Sequence, residues 1–428
     1  MVKRFSYFIL LLLVKQTTFS QSIDKIINAK EVERIEKTLS SDAMRGRKVF
    51  SPEIDRAAEF IAAEFKKAGL QPVTGDSYLQ EFSMMRNTPV SAGGIMNGRT
   101  LDEKNVAALT AKEELSINQA SGYKQIVVHA KDTLNILLSR LQRTGGDYLL
   151  MVDTAQRALF ERIKRGRSLF SPKGNIVLVL ASEEAGEYTI HYKQTVSGIP
   201  LKNVVGVLPG KSKKEEFVIF SGHYDHLGVG KANAAGDSIY NGANDDAAGT
   251  TAVIVLANYF AKQKNNERTI IFAAFTGEES GGFGSNYFSQ QFNPDQVMAM
   301  FNIEMIGTES KWGTNSAFIT GYEKTDMGKI LEKNLEGTSF KFYPDPYPDQ
   351  QLFYRSDNAT LARLGVPAHT ISTSKMDSEK FYHTQEDEIE TLDMNNMAAI
   401  IRAIAISSTS IIAGKDTPGR VTSESLKR

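Results

Sequence analysis

Apolar positions fall into two rhythms along the chain. From residue 201 onward, short uninterrupted apolar runs alternate with longer stretches of helical spacing. NVVGVLPG and EFVIFSG read as strands, AAGTTAVIVLANYFAK as a helix, TIIFAAFT and VMAMFNIEMIG as strands, DNATLARLG as helical and AHTIST as another strand. The run from Thr269 to Thr276 has no charge and no two-residue alternation, which marks a strand buried on both faces of a parallel sheet. Alternation of this kind predicts an α/β fold: a doubly wound, mostly parallel sheet flanked by helices. Nearer the start, Ser51, Pro52 and Glu53 signal a helix in which Ile54, Ala58, Ile61, Phe65 and Ala68 recur at helical spacing until Gly69.

The stretch 97–200 has a rhythm of its own: YKQIVVHA, helical LNILLSRLQR, DYLLMVD, helical QRALFERIKR and NIVLVLA. These are the elements of a small α/β unit, read here as an inserted domain. The expected organisation is 1–20 signal peptide, 21–96 and 201–413 the two parts of the main domain, 97–200 the insertion, and 414–428 a polar tail expected to fray.

Composition narrows the classes of function. The first twenty residues carry Lys3 and Arg4, an apolar run from Phe5 to Val14, and small or polar residues before Gln21. That is a secretory signal pattern, predicting cleavage near Ser20 and Gln21, export to the periplasm or beyond, and no integral membrane span afterwards. Lys plus Arg and Asp plus Glu both total 50, so no net field draws the chain to nucleic acid. Cysteine is absent, which leaves His, Asp and Glu as the available metal ligands.

Acids and imidazoles gather at predicted strand ends, where ligands bind in open α/β sheets. After EFVIFSG come His223 and Asp225, an imidazole and a carboxylate able to orient it. His226 is adjacent but, in an extended segment, points away from His223 and is left out. GANDDAAGT holds Asp245 and Asp246 just before a helix, where an acid could cap the helix or bridge two metals. Glu278 and Glu279 end TIIFAAFT; two adjacent acids repel unless a proton, metal or substrate separates their roles. Glu304 interrupts an apolar run, and YHT supplies Tyr382 and His383. Two histidines and three carboxylates suit two zinc ions bridged by one carboxylate, with manganese or cobalt as possible substitutes.

HYDHLG, GANDDAAG, TGEES, NIEMIG and YHT, in this order, resemble the di-zinc exopeptidases of bacterial leucyl aminopeptidase type, a superfamily that also includes glutamate carboxypeptidase and glutaminyl cyclase. The resemblance implies that Asp245 bridges two zinc ions, one completed by His223 and Glu304 and the other by Glu279 and His383. Glu278 is then the general base, Asp225 the orienter of His223, and Tyr382 a donor to the developing oxyanion. The insertion looks similar to a protease-associated domain. Two positions depart from the family pattern: Glu304 stands where an aspartate is usual, and Asn358 where the related segment often has histidine.

The implied activity is hydrolysis of amino-terminal residues from peptides by metal-activated water. Rival readings are a carboxypeptidase using Arg355 or Arg363, a single-zinc glutaminyl cyclase, and a non-catalytic binding protein on the same fold.

Overall fold

The computed structural model describes residues 23–426 apart from 74, 166, 167, 170 and 171. The expected signal peptide lies outside the described residues. No helix among them is long and apolar enough to cross a membrane.

The chain divides into two compact units, one of residues 1–81 and 202–428 and the other of Phe82–Leu201. In the first, neighbouring strands run in the order Lys341–Pro344, Ser316–Ile319, Ala368–Ser372, Val297–Ile303, Lys213–His223, Arg268–Phe275 and the 204–208 end of Tyr188–Leu208. The pairs joining Ala368–Ser372, Val297–Ile303, Lys213–His223 and Arg268–Phe275 are all parallel. Antiparallel pairing appears at Ser316–Ile319 against Ala368–Ser372 and at 204–208 against Arg268–Phe275. The sheet is thus mostly parallel with helices flanking it, as the alternation predicts. Every residue of Arg268–Phe275 is buried, which explains its lack of two-residue alternation.

The helix Ala248–Gln263 is apolar nearly all round and buried along its length, so it lies inside its unit. Helices Ala29–Leu39 and Pro52–Ala68 pack against it. The second of these ends at Gly69, whose φ of 83° forms the left-handed cap.

The Phe82–Leu201 unit has a sheet of Val106–Leu109, Ile176–Leu180, Tyr148–Val152 and Lys124–Val128 in that order. Helices Leu134–Thr144 and Arg157–Lys164 fall where the helical spacing places them. Its contact boundary at Phe82 precedes residue 97, because Leu79–Met96 is one continuous strand and offers no break for the sequence to display.

The polar tail is docked and not frayed through residue 426. The buried guanidinium of Arg268 donates to the Asp416 carbonyl at 2.8 Å, and Arg420 donates to the carbonyls of Val297 and Pro294, both at 2.8 Å. Tail carbonyls and guanidinium groups make these bonds, and polar composition alone does not reveal them.

Candidate metal centre

The carboxyl edge of the parallel strands gathers the acids and imidazoles. His223 closes its strand directly opposite Phe275, so the loops leaving both strands begin side by side. Asp245 and Asp246 occupy the turn between Gly242 and the helix at Ala248, joined by a cis peptide. Glu278 and Glu279 follow a turn at Gly277, and Glu304 follows Ile303 directly. His383 comes from the loop beyond Ala368–Ser372 with a left-handed backbone, φ 58°, a conformation that concentrates at functional sites when the residue is not glycine.

Asp245 lies at the middle of the cluster. Its Oδ1 is 3.3 Å from His223 Nε2 and its Oδ2 is 3.2 Å from His383 Nε2. Glu279 Oε2 is also 3.2 Å from His383 Nε2. The Nε2 atoms of His223 and His383, Oε1 of Glu279 and Oε2 of Glu304 are buried without a hydrogen-bond partner among the described residues. Buried polar atoms gathered in this way are costly without a shared partner, and imidazole with carboxylate is the donor set of zinc. The residues present fit a metal.

The electrostatics divide the acids. Burial works to raise Asp245, but the imidazoles of His223 and His383 hold it well below the usual carboxylate range. Glu279 is drawn down against burial by His226 and His383. Burial pushes Glu278 well up, aided by the charges of Glu304, Asp357 and Asp225 and opposed by His223. Burial also lifts Glu304 to about 7. The carboxylates Asp245 and Glu279 draw His383 up to about 10, the response of an imidazole to negative charge that a cation would neutralise.

Asp225 departs from the expected contact. Its backbone carbonyl faces His223 Nδ1 at 3.2 Å, while its carboxylate Oδ1 is 3.9 Å away and accepts the Glu278 N–H at 3.1 Å. The chain turns after His223, so the main chain reaches the ring before the side chain does. Tyr382 stacks on His383 with ring centroids 3.9 Å apart and lines one pocket with Asp245, Glu278 and Glu304. Burial raises its hydroxyl pKa, which keeps the proton on.

Asp246 has a different task. Its Oδ1 accepts from the N–H groups of Gly249 and Met305, both at 3.0 Å, and its Oδ2 from the N–H of His223 at 3.2 Å. One carboxylate thereby caps the helix and ties it to the strand ends that carry His223 and Glu304. Asn358 is likewise a staple, donating to the carbonyls of Phe353 at 3.0 Å and Ala368 at 3.2 Å.

Three residues of this region escape sequence reasoning. His226 is turned into the cluster and not away: its Nδ1 lies 2.8 Å from Glu279 Oε1 and 3.8 Å from Asp245 Oδ2. The extended geometry assumed for it ends at His223. Asp357 is buried and electrostatically felt by Glu278 and Glu304. Arg47 is fully buried, and its guanidinium donates to the carbonyls of Tyr224, Leu39, Asn241 and Gly242 at 2.6–2.9 Å. It clasps the His223 loop to the Asp245 loop. Its only trace in the sequence is Gly46, whose φ is 67° and where a Cβ would fall 2.3 Å from the Tyr240 carbonyl.

The mostly parallel sheet carries this donor set at its carboxyl edge. Residues 203–407 match peptidase family M28. A probable leucine aminopeptidase of Trichophyton verrucosum is 28% identical over 224 residues, 50% of this chain and 58% of its own length. The chain thus spans little more than half of that curated relative. An aminopeptidase from Aneurinibacillus sp. shares the fold with a TM-score of 0.54 at 16% identity, over 94% of this chain and 97% of its own. Glutaminyl cyclase from Porphyromonas gingivalis does so with a TM-score of 0.50 at 11% identity, over 90% and 99%. At these identities the two structures speak for the fold alone.

Proposed function

We propose that the chain is an exported metallo-aminopeptidase that removes amino-terminal residues from peptides with the help of two zinc ions. The observation that carries this reading is Asp245, offering one oxygen to His223 at 3.3 Å and the other to His383 at 3.2 Å. A carboxylate shared between two cations needs this disposition. His223, Asp245 and Glu304 would hold one ion, and Asp245, Glu279 and His383 the other. When bound, zinc would supply a Lewis acid and lower the pKa of water to about 7.

The chain's own part is proton handling and orientation. Glu278, raised by burial and by its acidic neighbours, takes a proton from water and returns one to the leaving amine. Tyr382 donates its hydroxyl hydrogen to the oxygen on which charge develops. Asp225 fixes the Glu278 backbone relative to His223. The Phe82–Leu201 unit enters the proposal as an inserted domain of protease-associated type.

Metal analysis combined with hydrolysis of a panel of aminoacyl p-nitroanilides, with and without chelator, tests the reading. Two zinc ions per chain and chelator-sensitive release of the free amino acid are expected; hydrolysis that persists after the metal is stripped rejects it. A carboxypeptidase is the second reading, favoured by Arg355 in the wall of the same pocket. Faster cleavage of amino-blocked than of carboxyl-blocked dipeptides would select it.

A further inference from the structure

His226 is almost wholly enclosed, at 1% exposure. Both of its ring nitrogens are buried without a hydrogen-bond partner among the described residues. Its Nδ1 approaches Glu279 Oε1 to 2.8 Å, yet off the line a hydrogen bond requires. An imidazole buried in this way is destabilising until its ring nitrogens find partners. A cation shared with Glu279 and Asp245 leaves one ring nitrogen without a partner instead of two.

The surroundings hold the ring in place. The His226 N–H donates to the Arg47 carbonyl at 3.3 Å. Gly242, at φ 57°, presses its bare backbone on the ring, where a Cβ would fall 2.5 Å from Cγ and Cδ2. The Asp245 turn therefore begins directly against this imidazole.

We propose that His226 is a fourth protein ligand of the Glu279-side metal, completing a set of His226, Asp245, Glu279 and His383. The inference rests on the two-zinc reading and adds an asymmetry to it. Around a tetrahedral zinc with bonds of about 2.0–2.1 Å, neighbouring donors lie about 3.3 Å apart. The facing pairs here lie at 2.8 Å for His226 Nδ1 and Glu279 Oε1, 3.2 Å for His383 Nε2 with both Glu279 Oε2 and Asp245 Oδ2, and 3.8 Å for His226 Nδ1 and Asp245 Oδ2, Glu279 turning one oxygen to each imidazole. Four protein donors close a zinc position, whereas three leave a place for water or substrate. The His223, Asp245 and Glu304 side has three, and the His223 charge is felt by Glu278. The Glu279 side anchors; the His223 side stays open to the reactants.

The absence of cysteine makes a direct test possible. Through Nδ1 the imidazole reaches about as far as a cysteine sulfur, so His226→Cys keeps a donor in place. Loaded with cobalt, this variant should show a sulfur-to-cobalt charge-transfer band that the wild type, having no thiol, cannot show. His226→Ala should bind its second zinc about 100-fold more weakly or worse in competition with a chelating dye, as expected when a metal site loses more than an outer-shell partner. In wild-type protein with 15N-labelled histidine, three of the six rings should move to metal-bound shifts on saturation with zinc.

The labelled wild type decides the matter even if neither variant folds. Two shifted rings, or a cobalt-loaded His226→Cys without the band, overturn the inference while leaving the two-zinc reading intact. Fewer than two zinc ions on the wild type overturn that reading and the inference with it.

Discussion

Two pairs of adjacent acids meet at one sheet edge, and in each pair one member lies in close contact with imidazole nitrogens while the other feels only the charge of His223. Asp245 and Glu279 are drawn down by histidines; Asp246 and Glu278 are pushed up by burial. The two raised acids then part ways. Asp246 is wholly buried and accepts three backbone N–H groups. Glu278 is half-buried and lines the pocket. Equal charge and the same direction of displacement from the usual carboxylate range therefore do not assign a role. A carboxylate saturated with donors holds loops together, and one left facing the pocket is available for proton transfer.

The strongest way to break this comparison is to neutralise one member of the glutamate pair at a time. Glu279→Gln should lose tightly held metal and, with it, hydrolysis down to background, read by metal content and turnover together. Glu278→Gln should keep the metal and lower kcat about 10²–10⁴-fold, the usual worth of a general base. Equal metal loss in both variants would erase the distinction between them.

Arg47→Met should destabilise the fold by about 3 kcal/mol or more, since it strands four buried carbonyls. Denaturant melts would record this, and an unchanged midpoint would show that the clasp is dispensable. Asp246→Ala should cost about 3 kcal/mol or more through three orphaned N–H groups. Because Asp246 is a staple, its loss should lower stability before it lowers metal content per folded chain; the opposite order would make it a ligand.

An effect read as a slope with pH sharpens the comparison from outside the site. Glu36 is buried, accepts from the Thr251 hydroxyl at 2.8 Å, and is pushed up to about 8 by burial. Its folded pKa exceeds the unfolded value, so the native state holds the proton longer and stability falls as pH rises from about 4.5 to 8. The slope is at most about 1.4 kcal/mol per pH unit. Glu36→Gln should flatten that part of the stability profile in melts taken across the range; an unchanged slope would refute the assignment.

Much of the fold is legible in the chain because each buried strand leaves an uninterrupted apolar run. Lys213–His223, Arg268–Phe275, Val297–Ile303 and Ala368–Ser372 all lie where those runs fall. Parallel strands then put the acids that follow them on one edge, so His223, Glu279 and Glu304 are brought together by strand direction alone. The rest depends on turns. His226 was lost because a two-residue period was extended past the end of its strand. Arg47 was lost because an arginine among Ser, Asp and Gly looks solvated until the carbonyls around it are known. Asp225 kept its place but exchanged a side-chain contact for a backbone one, a distinction that spacing cannot express.

The Arg47 clasp also bears on how divisible this chain is. The family match begins at residue 203, yet the carbonyls of Tyr224, Asn241 and Gly242 within it are satisfied by the guanidinium of Arg47, more than a hundred residues earlier. A fragment starting at Asn203 would contain every proposed metal ligand and still open its two ligand-bearing loops to water. The smallest fragment that keeps these loops closed must therefore include the amino-terminal segment that carries Arg47.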